Sequence, residues 1–145
     1  MKSFLQGWQI WAAMSALFAA LTAIFGKMGV SQINSDLATL IRTVVILAIA
    51  ALIVTMTRAW QPVSSIQGRT WLFLLLSGAA TGASWLCYYR ALQLGPAGRV
   101  APIDKLSVVL VALFAALFLG EQMTLRGWMG VGLIAAGATL LALGV

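Results

Sequence analysis

Histidine is absent from this chain of 145 residues, and cysteine occurs only once, as Cys87. Without imidazole the chain lacks the commonest general base and the commonest metal ligand. A single cysteine excludes a disulfide within the chain, and Cys87 is expected to be a small buried apolar residue. No nucleophile–base pair, metal-ligand set or phosphate-binding glycine loop is visible. The sequence therefore predicts no enzyme, no cofactor and no direct use of ATP.

Charge is also scarce, because charged residues make up 8% of the chain and only three of them are carboxylates. Hydrophobic residues make up 62%, more than a small water-soluble domain can remove from water. The net charge of +6 comes from nine basic residues scattered between apolar runs. Such residues are typical membrane-flanking anchors. They form no basic cluster, so the sequence does not predict nucleic acid as a partner. We expect an all-α membrane protein embedded in a lipid bilayer.

Five apolar runs are long enough to cross about 30 Å of hydrocarbon as helices. Gly26, Lys27 and Gly29 are expected to close the first helix, and Asn34 to cap the second. The polar stretch 57–70 is predicted to be a loop. The predicted helices, within a single domain over residues 1–145, are about 8–27, 36–56, 71–93, 97–119 and 126–144.

An odd number of spans places the two chain ends on opposite membrane faces. The face of the N-terminus then carries Lys2, Arg58, Arg69 and Arg126, and the other face carries Lys27, Arg90, Arg99 and Lys105. Four basic residues on either side give no clear orientation by the positive-inside rule. One interpretation is that a few residues near the first helix set the orientation. The other is that the chain inserts both ways.

Residues 92–105 hold two of the three prolines and one of the three carboxylates, and they come immediately before an apolar run. Ionisable residues within a membrane indicate a functional site by default. At 1.5 Å per residue, several polar or aromatic side chains of different helices fall about 10 Å below one face. A kink at Pro102 would also aim backbone amides at a bound anion. The predicted substrate-binding residues are Thr22, Arg42, Trp85, Tyr88, Tyr89, Asp104 and Lys105.

A purely structural interpretation of the same residues stays open. If the fourth helix begins at Pro102, Asp104 only complements the helix dipole and Lys105 reaches the surface as an anchor. Trp85 and Tyr88 would then belong to an interfacial aromatic belt.

Three segments carry a resemblance to a known family: Gly95–Ile103, the helix ending at Gly120-Glu121, and Gly130–Leu140. They resemble the second half of an EamA domain of the drug/metabolite transporter superfamily, and residues 38–42 and 85–95 are also similar. Full-length members of that family have ten helices in two inverted five-helix repeats. The resemblance implies that this chain supplies one such half, and that two copies assemble antiparallel.

The resemblance and the balanced charges together favour a dual-topology antiparallel homodimer. We expect a secondary transporter or exporter of a small polar metabolite, working by alternating access in a prokaryotic inner (plasma) membrane. The alternative is an accessory or structural membrane protein that partners another transporter chain. Small residues along the fifth helix predict the dimer interface: Gly130, Gly132, Ala136, Gly137 and Gly144.

Overall fold

The computed structural model describes residues 7–144, so Lys2 of the charge count lies outside the described part. Five helical segments in this range are long and apolar enough to cross a membrane, with α4 and α5 counted as one segment. This confirms an all-α membrane protein with five spans. The elements are α1 (Trp8–Val30), α2 (Ser35–Met56), a 3₁₀ turn (Val63–Ser65), α3 (Gly68–Leu94), α4 (Ala97–Asp104), α5 (Ser107–Phe118) and α6 (Leu125–Leu143).

Two helix ends differ from the prediction. α1 continues through Gly26 and Gly29 to Val30, so the expectation that these glycines close it is wrong. In hydrocarbon every backbone group must be paired within the segment, and this requirement outweighs the weak helix propensity of glycine. α3 begins at Gly68, inside the predicted loop. Arg69 therefore lies in its first turn, with the guanidinium carbon 5.7 Å from the centre of the Phe73 ring.

The chain divides into two compact units, and the first contains residues 7–26 and 94–144. In this unit α4 and α5 each pack against α6. α6 begins after Thr124, whose hydroxyl accepts a hydrogen bond from the amide of Gly127. It ends at Gly144, which has a φ of 72°. A Cβ atom at Gly144 would lie 2.6 Å from a guanidinium nitrogen of Arg99, but this flexible side chain can move, so the left-handed backbone is what requires glycine.

The fourth span is broken where α4 meets α5. α4 begins at Ala97 after Pro96 and contains Pro102, so a helix that starts at Pro102 is excluded. The break lies at Lys105 and Leu106, where the backbone tightens into bonds between residues three apart. The amides of Val108, Val109 and Leu110 all donate to nearby carbonyls. The expectation that this break aims free amides at an anion is therefore wrong, because those donors are already used.

The second unit covers residues 27–93, and both α2 and α3 contribute buried residues to it. On α2, Ser35, Ala38 and Thr39 are buried and lie on one face by helical spacing. On α3, Tyr89 and Leu92 are buried in the same way. Small side chains on this face of α2 are typical of surfaces on which helices associate in lipid.

Two long-range hydrogen bonds tie the end of α3 to the segment that joins α1 and α2. The Lys27 ammonium donates to the Leu92 carbonyl at 2.6 Å. The Gln93 side-chain amide donates to the Ile33 carbonyl at 3.0 Å. A cation at the C-terminal turn of a helix also complements its dipole. These bonds fix where α2 begins relative to the end of α3.

Threonine hydroxyls along the spans bond to their own helices. In five of them the hydroxyl donates to the carbonyl four residues earlier at 2.8 Å, so these five hydroxyl hydrogens are paired in the apolar environment. The residues with this bond are Thr39, Thr43, Thr55, Thr81 and Thr139.

The end of α2 carries a non-glycine residue in a left-handed conformation, Arg58, with a φ of 53°. Its amide donates to the Thr55 carbonyl, and the Ala59 amide donates to the Val54 carbonyl. This paired pattern is the Schellman cap, in which glycine normally occupies the left-handed position. A side chain there costs about 1 kcal/mol or somewhat more.

We therefore expect Arg58→Gly to stabilise the protein by about 1 kcal/mol, because glycine relieves the left-handed strain while both cap bonds remain. Thermal unfolding in detergent checks this result, with Arg126→Gly as the matched control. Arg126 lies in the first turn of α6, so glycine there should be neutral or destabilising. Equal or lower stability of Arg58→Gly would contradict the strain argument.

Candidate functional site

The most distinctive polar contact in the second unit is made by Arg42. Its guanidinium carbon lies over the ring of Trp85, 3.8 Å from the ring centre. The same carbon is 5.1 Å from the centre of the Tyr89 ring. Arg42 is half-buried, and Tyr89 is buried. The structure thus brings together three of the predicted binding residues: a cation of α2 and two rings of α3.

The helical spacing of both segments explains this contact. Ser35, Thr39 and Arg42 follow one face of α2, and Trp85, Tyr89 and Leu92 follow one face of α3. Arg42 is seven residues beyond the start of α2, about 10 Å along the helix. The buried residues Ser35 and Leu92 therefore lie on the same helix faces as the guanidinium and the rings, one or two turns away.

The guanidinium is not fully satisfied by these contacts. Within residues 7–144, Nη1 of Arg42 is buried and has no hydrogen-bond partner. A cation–π contact contributes about 2 kcal/mol when desolvated. A buried donor without an acceptor costs about 1–3 kcal/mol, and more when the group is charged. The rings compensate the charge in part but offer no acceptor to this N–H group.

Tyr88 and a small groove flank the contact. The Tyr88 ring meets the Tyr89 ring edge-on, with the ring centres 6.4 Å apart. On α2 and α3 a groove of about 360 Å³ is lined by Asn34, Ser35, Asp36, Leu86, Cys87 and Arg90. The Arg90 guanidinium donates to the Gln93 side-chain oxygen at 3.1 Å. The groove thus combines one carboxylate and one guanidinium near the ends of the two helices.

The remaining predicted binding residues lie in the first unit. The Lys105 ammonium forms an ion pair with the Asp104 carboxylate at 3.3 Å, with side chains that are 55% and 36% exposed, respectively. Each therefore compensates the charge of the other. Thr22 is half-buried on α1, next to the buried Ala23. Their participation in one site with Arg42 stays a prediction.

The glycines predicted as a dimer interface have two different surroundings on α6. At Gly130, Gly132 and Gly137 an added Cβ atom would meet no described atom within 4 Å. These three positions therefore leave open space beside the helix. Ala136 is exposed as well. Gly144 differs, because its left-handed cap conformation already explains the glycine within one chain.

Sequence reasoning missed part of the site. Cys87 is exposed and lines the groove, so the expectation of a buried cysteine is wrong. A lipid-facing position accepts the same small apolar residues as a buried one, and composition does not separate the two. The buried residues Val30, Ser35 and Leu92 were also not selected. The small residues that recur at positions 35, 38 and 39 were the sequence signal that could have identified the buried face of α2.

The profile of the EamA-like transporter family matches residues 6–143 of this chain. A protein of Sinorhizobium sp named "uncharacterized transporter in cobO 3'region" is 68% identical over 137 residues, which cover 94% of this chain and 97% of that protein. No solved structure matches the chain.

Two further relatives carry the name "probable 4-amino-4-deoxy-L-arabinose-phosphoundecaprenol flippase subunit ArnE". The one from Hamiltonella defensa is 30% identical over 89 residues, 61% of this chain and 78% of the relative. The one from Aeromonas hydrophila is 35% identical over 85 residues, 57% of this chain and 75% of the relative.

Proposed function

We propose, from the premise that the chain belongs to the EamA-like transporter family, that it is a secondary transporter which exports a small polar metabolite. In this proposal two copies assemble antiparallel in a prokaryotic inner membrane and move the solute by alternating access. Membership of the family and five membrane-length helices establish a multi-pass membrane transporter. The direction, the solute class and the homodimer belong to the proposal.

The observation that carries the proposal is Arg42 within the second span, against Trp85 and Tyr89. A charged side chain inside a membrane costs about 2.5–3.5 kcal/mol on insertion scales, and such residues usually mark solute or ion pathways. A structural anchor would reach the membrane surface instead. A half-buried cation with an unpaired donor is better suited to hold a polar solute.

The assembly follows from the odd number of spans. When two five-helix copies associate in opposite orientations, they form an inverted pair of repeats. Transporters that work by alternating access use this arrangement. The nearly equal numbers of basic residues on the two predicted faces support insertion in both orientations. The open space beside Gly130, Gly132 and Gly137 supports α6 as the contact between copies.

Gly137→Leu should convert the dimer into a monomer, because a leucine side chain fills the space that a second helix backbone needs for close approach. Native mass spectrometry in detergent measures the change, and we expect at least tenfold less dimer at equal protein concentration. Gly78→Leu on α3 is the matched control, since it also adds leucine where no described atom lies within 4 Å. Unchanged dimer in Gly137→Leu would remove α6 from the interface.

Transport by the purified chain in liposomes tests the proposed function directly. Vesicles are preloaded with mixtures of labelled carboxylates, phosphate esters, amino acids and sugars, and efflux is compared with that from protein-free vesicles. We expect efflux of at least one charged class to be faster with protein. Equal efflux of every class would reject the chain as a self-sufficient transporter.

A second candidate function is an accessory subunit that works only with a different transporter chain. The names of the two relatives favour it, because each is described as a flippase subunit. Purification of the tagged chain from its native membrane distinguishes the two. A stoichiometric second membrane protein, together with inactivity of the chain alone, would select the accessory role.

A further inference from the structure

We infer that Arg42, seated on Trp85 and Tyr89, binds an oxyanion, and that the transported solute carries a carboxylate or phosphate group. This inference rests on the proposed function and specifies the class of its solute.

Arg42 differs from the other basic residues in what surrounds it. Lys105 forms an ion pair with Asp104. Lys27 donates to a carbonyl at the end of α3, and Arg90 donates to Gln93. Arg42 lies against two rings, and within residues 7–144 its buried Nη1 atom meets no acceptor. Arg42 is thus set apart by a buried guanidinium donor that is left without a hydrogen bond.

The ring contacts define what kind of ligand fits. The positive charge is attracted to the face of an aromatic ring, but a ring supplies no lone pair that competes for the in-plane N–H groups. A guanidinium held in this way keeps its donor edge for a ligand. Carboxylate and phosphate match that edge, because two of their oxygens accept two parallel N–H bonds at once. An ammonium ion leaves the donors unpaired, and a neutral solute can accept their hydrogen bonds but does not compensate the positive charge.

The hydroxyl groups next to Arg42 on α2 reinforce this selectivity. The Thr39 hydroxyl donates to the Ser35 carbonyl, and the Thr43 hydroxyl donates to the Thr39 carbonyl. Neither has a hydrogen left to donate to a sugar or an alcohol. On α2, the donors for a ligand at this position therefore come from Arg42, so recognition by this helix depends on the negative charge of the ligand more than on its pattern of hydroxyl groups.

Fluorine NMR of the 5-fluorotryptophan-labelled protein tests binding at this position. The Trp85 signal is assigned from Trp85→Phe. Trp71, fourteen residues earlier on α3 and thus about 21 Å away along the helix, is the internal reference. The protein in maltoside micelles is titrated with inorganic phosphate, acetate, glucose and tetramethylammonium at an ionic strength held constant with sodium chloride.

We expect phosphate or acetate to shift the Trp85 signal saturably, while glucose and tetramethylammonium leave it unchanged. Arg42→Lys should weaken the apparent Kd about tenfold, since an ammonium group lacks the paired donor edge. Arg42→Gln should abolish the shift, and the matched loop variant Arg58→Gln should retain it. If Arg42→Gln does not fold, the comparison of the wild type with Arg42→Lys carries the test.

Micelles that contain phosphatidic acid separate a soluble anion from a lipid headgroup. A Trp85 shift with phosphate or acetate supports a soluble solute. A shift with phosphatidic acid alone supports the oxyanion site but overturns transport of a small soluble metabolite. No Trp85 shift with any of these three probes, or equal affinity in the wild type and Arg42→Lys, overturns the inference.

Efflux from liposomes separates failure of the inference from failure of the proposed function. Transport of a neutral or cationic solute without any Trp85 response would retain the transporter and reject the oxyanion site. A Trp85 response to phosphate or acetate without transport of any solute would retain the site and reject the proposed function.

Discussion

Transport should fall by at least about 100-fold when Lys105 is replaced by alanine, while the protein still assembles. Lys105 forms the ion pair that compensates Asp104, and its removal leaves a lone carboxylate that repels an anionic solute. An isolated charge in hydrocarbon costs about 2.5–3.5 kcal/mol on insertion scales. If an anionic solute passes Asp104 and this cost is added to its barrier, 1.4 kcal/mol for each factor of ten makes transport roughly 100-fold slower.

Liposome efflux and native mass spectrometry of the same samples measure transport and assembly separately. Arg126→Ala is the matched control, because it removes a cation at the start of α6 and should leave the rate nearly unchanged. The double variant Asp104→Asn with Lys105→Met removes both charges. If this double variant transports at a rate within about tenfold of the wild type, the lower rate of Lys105→Ala is due to the unpaired Asp104. Normal transport by Lys105→Ala would make Lys105 an ordinary surface anchor.

The orientation of the chain should change almost completely when two basic residues are removed from one face. A reporter at the C-terminus of the wild type is expected on both sides of the membrane, because basic residues are balanced between the faces. Arg58→Gly together with Arg69→Ala removes two charges from the face of the N-terminus. The opposite face then holds the excess and becomes cytoplasmic, so most of the C-terminal reporter should lie in the cytoplasm.

Paired phosphatase and fluorescent-protein fusions to the C-terminus measure the two populations. The reciprocal control is Arg90→Ala with Arg99→Ala, which should move the reporter to the outer side. Glycine at position 58 removes the charge without adding strain to the helix cap. A wild-type reporter found on one side alone would end the dual-topology hypothesis.

The five spans were predictable from the sequence because the thickness of the bilayer sets the length of each apolar segment. The helix ends were less predictable. Gly26 and Gly29 interrupt helices in water, where solvent accepts the released backbone groups, but α1 passes through both. The break of the fourth span at Lys105 and Leu106 was also misread, because proline predicts a kink without revealing which amides remain bonded.

The candidate site was predictable in part, since counting residues along helices places Arg42, Trp85 and Tyr89 at similar depth. Counting alone does not tell which helix faces meet. That contact depends on which sides of α2 and α3 face each other, which is a property of the folded structure. The exposed Cys87 shows the same limit, because apolar composition is common to lipid-facing and buried surfaces.

The self-bonded threonines have a consequence for how the protein is made. Each hydroxyl, from Thr39 on α2 to Thr139 on α6, finds its acceptor within its own helix. No neighbouring helix is needed to satisfy these hydroxyls, so they do not delay the entry of α2, α3 or α6 into lipid before the partner helices arrive. As far as its threonines are concerned, each of these spans can therefore take its orientation before any tertiary contact forms.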